Sequence, residues 1–215
     1  MEYDPPARLR LRPKKSLDGA PWAYANMIVL DRRARALTPG SLAVLQTPER
    51  DDIALGTVNP HSKIAWRFLD WDLAAEIDTA WVAARATLAL AHRMRLYDHP
   101  IYRQIHAEAD GLPGVSVDRF GDVLVVQPNA AWAELRLDAL VNGLLATTGA
   151  KVVYKNSGGR ARSLEGLDNQ SQLLVGSING PIDVAMNGAV YAADLLGGQK
   201  TGLFFDQRPN HALAA

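Results

Sequence analysis

The run Leu195-Leu196-Gly197-Gly198-Gln199-Lys200-Thr201-Gly202-Leu203-Phe204-Phe205-Asp206-Gln207-Arg208 concentrates residue types suited to facing a ligand. Glycine lets backbone amides come close to an anion, and a Lys-Thr pair can meet a phosphate. A nucleotide-phosphate loop needs glycine directly before the lysine and again at the loop's start. Those places hold Gln199 and Asp194, so a nucleoside triphosphatase is excluded. What remains is a ligand-facing turn leading into a helix. Glu108, Asp110 and Asp118 could form an acidic site, since paired carboxylates do acid–base work or bind metal. The neighbouring Asp110-Gly111 and Pro113-Gly114 favour plain turn roles for them. His61, His92, His99, His106 and His211 show no zinc spacing. The chain has no cysteine, which removes disulfides, thiolate metal sites and a cysteine nucleophile, and fits a cytoplasmic protein. Arg160, Arg162 and Glu165, in a glycine-rich loop, either contact phosphate or pair with one another.

Charge gives a second candidate surface. The 215 residues are formally neutral, but residues 1–35 carry eight Lys/Arg against four acids. Arg8, Arg10, Arg12, Lys14 and Lys15 are the candidate contacts to a phosphate-rich partner, the alternative being a solvated charged face. Apolar residues are 48% and charged residues 21%, an ordinary globular composition. No run reaches the roughly 18 apolar residues of a membrane span.

The elements that must position these residues follow from hydrophobic period and turn chemistry. Arg8-Leu9-Arg10-Leu11-Arg12 alternates, so a strand would bury two leucines and expose three arginines. Tyr24–Leu30 reads as a strand or short helix, and Asp31-Arg32-Arg33 as a turn. Short runs at Ser41–Gln46, Ile53–Val58 and Lys63–Leu69, separated by Pro/Gly/Asn/Asp turns, predict a small β-barrel. Asp72–Arg95 is helical in period, with Ile77, Trp81, Ala84, Leu88 and Ala91 on its apolar face and Asp78 as N-cap. It either links two domains or belongs wholly to one. Strands are then expected at Ile101–Ala107, Val115–Phe120 and Val123–Gln127, and a helix at Ala133–Thr148 ended by Gly149. Further strands follow at Lys151–Tyr154, Leu173–Val175, Ile182–Met186 and Ala189–Ala193, the last two joined by Asn187-Gly188. The fold class is α+β rather than a doubly wound sheet.

Several long motifs resemble one family. RQIHAEADGLPGVSVDRFGDVLVVQ (Arg103–Gln127), EGL (Glu165–Leu167) and NGAVYAADLLGGQKTGLFFDQRPN (Asn187–Asn210) are similar to the large-subunit ribosomal RNA methyltransferases of the RlmI type, which act on C5 of cytosine. So are Ala20-Pro21-Trp22-Ala23-Tyr24 and Gly56-Thr57-Val58-Asn59-Pro60-His61-Ser62. The sequence departs from the family pattern at Met186, Lys155-Asn156 and His211, where the family tends to have Glu, Arg-Asp and Arg.

The resemblance implies a PUA-like RNA-binding barrel (residues 1–73), a linking helix (74–99), a central α+β module of EEHEE type (100–196) and the start of a Rossmann-like methyltransferase domain (197–215). It implies S-adenosylmethionine as cofactor, with Gln199, Lys200, Thr201, Phe204, Asp206, Gln207 and Arg208 lining one wall of its site. It implies ribosomal RNA as partner and a homodimer. The family's reaction uses a cysteine thiolate, so this chain is expected to lack catalytic residues, to be inactive alone and to bind the cofactor weakly or not at all. A non-catalytic RNA-binding or dimerisation module is the alternative.

Overall fold

The computed structural model describes residues 5–198 and 201–214. Its first sheet holds β1 (Ala7–Arg10), β2 (Trp22–Tyr24), β3 (Leu42–Gln46), β4 (Asp52–Val58) and β5 (Ile64–Asp70), in the order β1-β3-β4-β5-β2. β1 runs parallel to β3, and the other pairs are antiparallel. The sheet curls until its edges meet. Val29 N donates to Arg10 O (2.8 Å), Arg12 N donates to Met27 O (2.8 Å), and Leu11 bridges Ile28. This closure answers the ambiguity over Tyr24–Leu30: β2 ends in a 3-10 turn (Ala25–Met27) and the chain is extended again at Ile28. The expected turn at Asp31 is instead the N-cap of a one-turn helix, α1 (Arg32–Arg35), where Asp31 Oδ1 accepts from Ala34 N. Leu9, Leu11, Ala23, Ile28, Leu45, Val58 and Trp66 fill the barrel.

A second five-stranded sheet comprises β6 (Ile101–His106), β7 (Val115–Phe120), β8 (Val123–Pro128), β9 (Val152–Lys155) and β10 (Gln172–Val175), ordered β10-β9-β8-β7-β6. Between β8 and β9 lie α3 (Ala131–Leu135) and α4 (Leu137–Thr148). The single helix expected over Ala133–Thr148 is therefore two, broken at Arg136, whose backbone (φ −116°, ψ 33°) leaves the helical region and whose Nη1 donates to Gly40 O. Along the chain, β7, β8, the helices, β9 and β10 follow the EEHEE pattern, and β6, also expected as a strand, pairs beside β7 at the edge. A short helix, α5 (Arg160–Leu164), precedes β10. β11 (Ile182–Met186) and β12 (Ala189–Ala193) form a separate hairpin through Asn187-Gly188, whose φ of 56° and 76° suit a tight primed turn. The chain then passes through a 3-10 turn into α6 (Arg208–Ala214).

The helix expected over Asp72–Arg95 is α2 (Thr79–Met94), with Asp78 Oδ1 accepting from Trp81 N at its start. Of the face the spacing suggested, Ile77 and Trp81 are buried, but Ala84, Leu88 and Ala91 are exposed. Trp81, Val82, Ala86, Ala89 and Arg93 are buried, whereas Leu88 is 74% exposed. Close approach decides this. α2 packs on α4 where Gly143 faces Val82 and the Thr79 carbonyl, so small residues must line the seam. Arg93 turns inward because its guanidinium grips both oxygens of Asp110 (2.7 and 2.6 Å).

The main core crosses residue 73. Val44, Leu55 and Leu69 point out of the barrel and pack with Trp81, Val82, Ile105, Val117, Trp132, Leu140 and Leu144. Each such burial contributes about 1.5–3 kcal/mol, enough to seat the barrel on the second sheet. Among the described residues, no helix is long and apolar enough to cross a membrane.

Candidate nucleic-acid interface

β1 does what its alternation requires. Leu9 and Leu11 are 2% exposed, and the alternating Arg8, Arg10 and Arg12 point away from the barrel interior. The five basic candidates then divide. Arg8 is exposed but spans to Asp52, with Nε and Nη2 each 3.3 Å from a carboxylate oxygen. The hydrogen bond from Gln46 and the one from Arg8 hold the Asp52 carboxyl below its ordinary range. Arg12 donates through Nε to Ile28 O and so braces the barrel seam. Arg10, Lys14 and Lys15 meet no carboxylate among the described residues. Beside Arg8 and Arg10 lies a concavity of about 410 Å³, also lined by Asp31, Arg33, Gln46 and Arg50. Arg33 and Arg50 join this site from outside the Arg8–Lys15 run. Arg33 was within the basic count, whereas Arg50 reaches the groove only through the β3–β4 turn.

The acidic trio does not converge. Glu108 pairs with Arg67, Asp110 with Arg93, and Asp118 with Arg103. The described residues contain no cluster of three or more His, Asp or Glu able to hold a metal. Nor do Arg160, Arg162 and Glu165 pair with one another. Arg160 is exposed. Arg162, fully buried, donates to Pro128 O (2.6 Å), Glu134 Oε2 (2.8 Å) and Asp168 O (2.8 Å). Lys155 takes the other oxygen of Glu134 (2.8 Å). Glu165 instead reaches the barrel. Its carboxylate accepts from Asn59 Nδ2 (2.9 Å), Ser62 Oγ (3.0 Å) and Arg67 Nη2 (3.0 Å), and its main-chain oxygen accepts from Asn59 as well (3.0 Å). Two motifs that the sequence singled out separately, around Asn59–Ser62 and Glu165–Leu167, thus meet across the molecule.

In the C-terminal segment, Gln199 and Lys200 lie outside the described residues. Asp194 organises the preceding turn: its Oδ1 accepts from Leu196 N and Gly197 N, and its main-chain oxygen from Gly198 N. A Cβ at Gly198 would stand 2.2 Å from that main-chain oxygen, so the tight turn itself demands glycine there. Thr201 is buried and donates through Oγ1 to Asp118 Oδ2 (2.5 Å). Arg208 donates to Ile101 O (2.8 Å), and its guanidinium carbon lies 4.7 Å from the centre of the Tyr97 ring. Phe205 packs on Phe120 with ring centres 5.2 Å apart. Asp206 is exposed and Gln207 half-buried. Thr201 and Arg208 therefore spend polar atoms inside the chain.

Comparison with known proteins adds the following. Residues 10–71 match a PUA-like domain family. Over 97% of its length the chain is 34% identical to the ribosomal RNA large subunit methyltransferase I of Shewanella denitrificans, of which it covers 54%. It is 36% identical to a ribosomal RNA large subunit methyltransferase of Deinococcus radiodurans, over 94% of this chain and 53% of that protein. The chain is thus similar to large-subunit ribosomal RNA methyltransferases. It spans about half the length of the curated relatives it matches. A candidate SAM-dependent methyltransferase from Streptococcus mutans shares the fold at TM-score 0.78 and 16% identity, over 96% of this chain and 53% of that one. A second solved structure, a candidate methyltransferase complexed with SAH, gives TM-score 0.76 at 16% identity, over 97% and 53% respectively.

Proposed function

We propose that this chain is the RNA-holding part of an S-adenosylmethionine-dependent enzyme of ribosomal RNA processing in the cytoplasm, which methylates cytosine C5 in large-subunit RNA. The observation that carries the reading is β1 and its continuation to Arg12, which turn Leu9 and Leu11 into a PUA-like barrel and leave basic side chains on its outside. Arg10, Lys14 and Lys15 supply the free phosphate contacts, with Arg8 and Arg12 beside them and Arg33 and Arg50 across the groove. Phosphate contact of this kind positions RNA without reading bases. Charge reversal at Arg10 and Arg12 is expected to weaken binding to a large-subunit RNA fragment. It should also lower the slope of log affinity against log salt, by roughly 0.7–0.9 per lost phosphate contact. Filter binding across a salt series measures both, with circular dichroism confirming that the Arg12 variant keeps its barrel. Unchanged affinity and slope would refute the assignment.

The proposal keeps the organisation into residues 1–73, 74–99, 100–196 and 197–215 as an order along the chain, with one core running through the first three parts. In the last part, Phe204, Asp206 and Gln207, together with Gln199 and Lys200, form one wall of the S-adenosylmethionine site, while Thr201 and Arg208 fix that wall to the sheet. The cofactor would supply the methyl group. With no cysteine present, the 215 residues alone are expected to transfer no methyl group to unmodified ribosomal RNA. Turnover in a radiolabelled methyl-transfer assay would overturn this.

The alternative, a non-catalytic RNA-binding or dimerisation module, has one observation in its favour. Leu88, Met94 and Leu96 are 74%, 68% and 60% exposed at the C-terminal end of α2 and just beyond it. A homodimer formed there would give twice the monomer mass in light scattering and would be lost in Leu88→Lys. A monomer at all concentrations removes this reading.

A further inference from the structure

The seam where Glu165 meets the barrel opens on one side into a cleft of about 730 Å³, a volume usual for a small-molecule site. One wall is barrel: Trp22 and Tyr24 from β2, with His61 and Lys63 from the turn before β5. The facing wall belongs to the second sheet and to α5, and includes Glu108 and Leu164. Three of the lining residues keep surface or atoms free to meet a ligand. Tyr24 leaves 47% of its surface exposed in a strand whose neighbour Ala23 is fully buried. Lys63, also in the lining, is exposed. Glu108 gives Oε1 to Arg67 Nη1 (3.2 Å), which leaves Oε2 uncommitted among the described residues.

Aromatic rings beside apolar surface, an exposed lysine and one carboxylate oxygen make a particular combination. An unstacked RNA base presents a π-face for stacking, a phosphate on either side, and edge groups for hydrogen bonding. We infer that this cleft takes a single flipped or unpaired RNA base against Tyr24 and Trp22, with Lys63 meeting the adjoining phosphate and Glu108 accepting from the base edge. The inference rests on the proposal that the chain binds RNA and gives it a second site, distinct from the groove beside β1. A carboxylate oxygen accepts but cannot donate. Cytosine offers it a protruding 4-amino group, whereas the N3–H of uracil lies between two carbonyl oxygens that repel a carboxylate, so the cleft should favour cytosine over uracil.

The test uses the 215-residue chain with fluorescein-labelled twelve-nucleotide oligocytidylate and oligouridylate, pyrimidines that differ at position 4 (amino against carbonyl) and at N3 (bare nitrogen against N–H). The unmodified chain should bind the cytidylate more tightly. Tyr24→Ala, at an exposed position that unfolding controls should show intact, should weaken cytidylate binding about tenfold, the scale of losing one stacked base, with the salt slope unchanged. Glu108→Gln should reverse the preference. Its amide oxygen would face Arg67, so its NH2 would point to the cleft and donate to the uracil carbonyl. Arg10→Glu should lower the salt slope for both oligomers alike. If neither oligomer binds the unmodified chain, both the RNA reading and the cleft assignment fall. If both bind and Arg10→Glu acts, but Tyr24→Ala and Glu108→Gln change nothing, the RNA reading stands and the cleft assignment falls. That last outcome would also follow if the cleft received a protein segment.

Discussion

Replacing Glu165 with alanine removes one carboxylate from three donors at once, and what each donor has left can be worked out. Glu165 is 5% exposed and Arg67 13%. Asn59 keeps the main-chain oxygen of residue 165, and Arg67 keeps Glu108. Ser62, 6% exposed, loses its acceptor, and Arg67 keeps its charge in a poorly hydrated seam with one partner fewer. Breaking a buried pair by deleting one partner costs about 3–5 kcal/mol. For a chain of this size that corresponds to a fall of about 6–20 °C in Tm. Glu165→Gln should cost less, about 1–3 kcal/mol, because its oxygen can still accept while its NH2 meets the NH2 of Asn59 donor to donor. Urea unfolding followed by both far-ultraviolet circular dichroism and tryptophan fluorescence measures the loss. The two probes should coincide, since the core through Val44, Leu55 and Leu69 couples the barrel to the second sheet. A loss below about 1 kcal/mol for Glu165→Ala would mean that the clamp contributes no more than a surface ion pair, and the reasoning would be wrong.

Two further outcomes follow from the packing and the charges. Gly143→Ala should destabilise by about 1–3 kcal/mol, because its Cβ would stand 2.7 Å from Val82 Cγ1 and 2.9 Å from the Thr79 carbonyl; Val82→Ala in the same chain should recover part of that loss in thermal melts. Glu134 is held below its ordinary carboxylate range: burial pushes it up, and hydrogen bonds and charge from Lys155 and Arg162 more than reverse this. Its contribution to stability is therefore present above the ordinary value and lost as pH falls through the lowered one. The stability gap between the parent and Glu134→Gln should be widest near neutral pH and close on acidification below the ordinary range, as denaturant titrations at a series of pH values would show.

Features that depend on neighbours in sequence were legible in the sequence. The Leu9/Leu11 alternation, the Asp78 cap, the Asn187-Gly188 turn and the glycine stop at Gly149 each rest on a few adjacent residues, and each is where local chemistry puts it. The phase of α2 was not legible. Alanines stand on several of its faces, so period alone favoured Ala84 and Leu88, whereas the seam with Gly143 and the pull of Asp110 on Arg93 choose Ala86 and Ala89. The break at Arg136 depends on Gly40, far away in the chain. The acidic residues looked like a cluster because they are close in sequence, yet each is paired with a different arginine. Of the candidate site, the basic strand could be read directly, while the cleft beside Tyr24 could not, since its walls come together only when residues 59–67 and 161–165 meet.

The outward-facing Val44, Leu55 and Leu69 bear on how this protein can be taken apart or recombined. A barrel cut free after residue 73 would carry an apolar scar where the second sheet had been, and a foreign barrel grafted in its place would have to reproduce both that scar and the donors at Asn59, Ser62 and Arg67. The barrel and its neighbour should therefore be inherited, expressed and engineered as one cassette, and a split at this boundary should yield two sticky halves rather than two working parts.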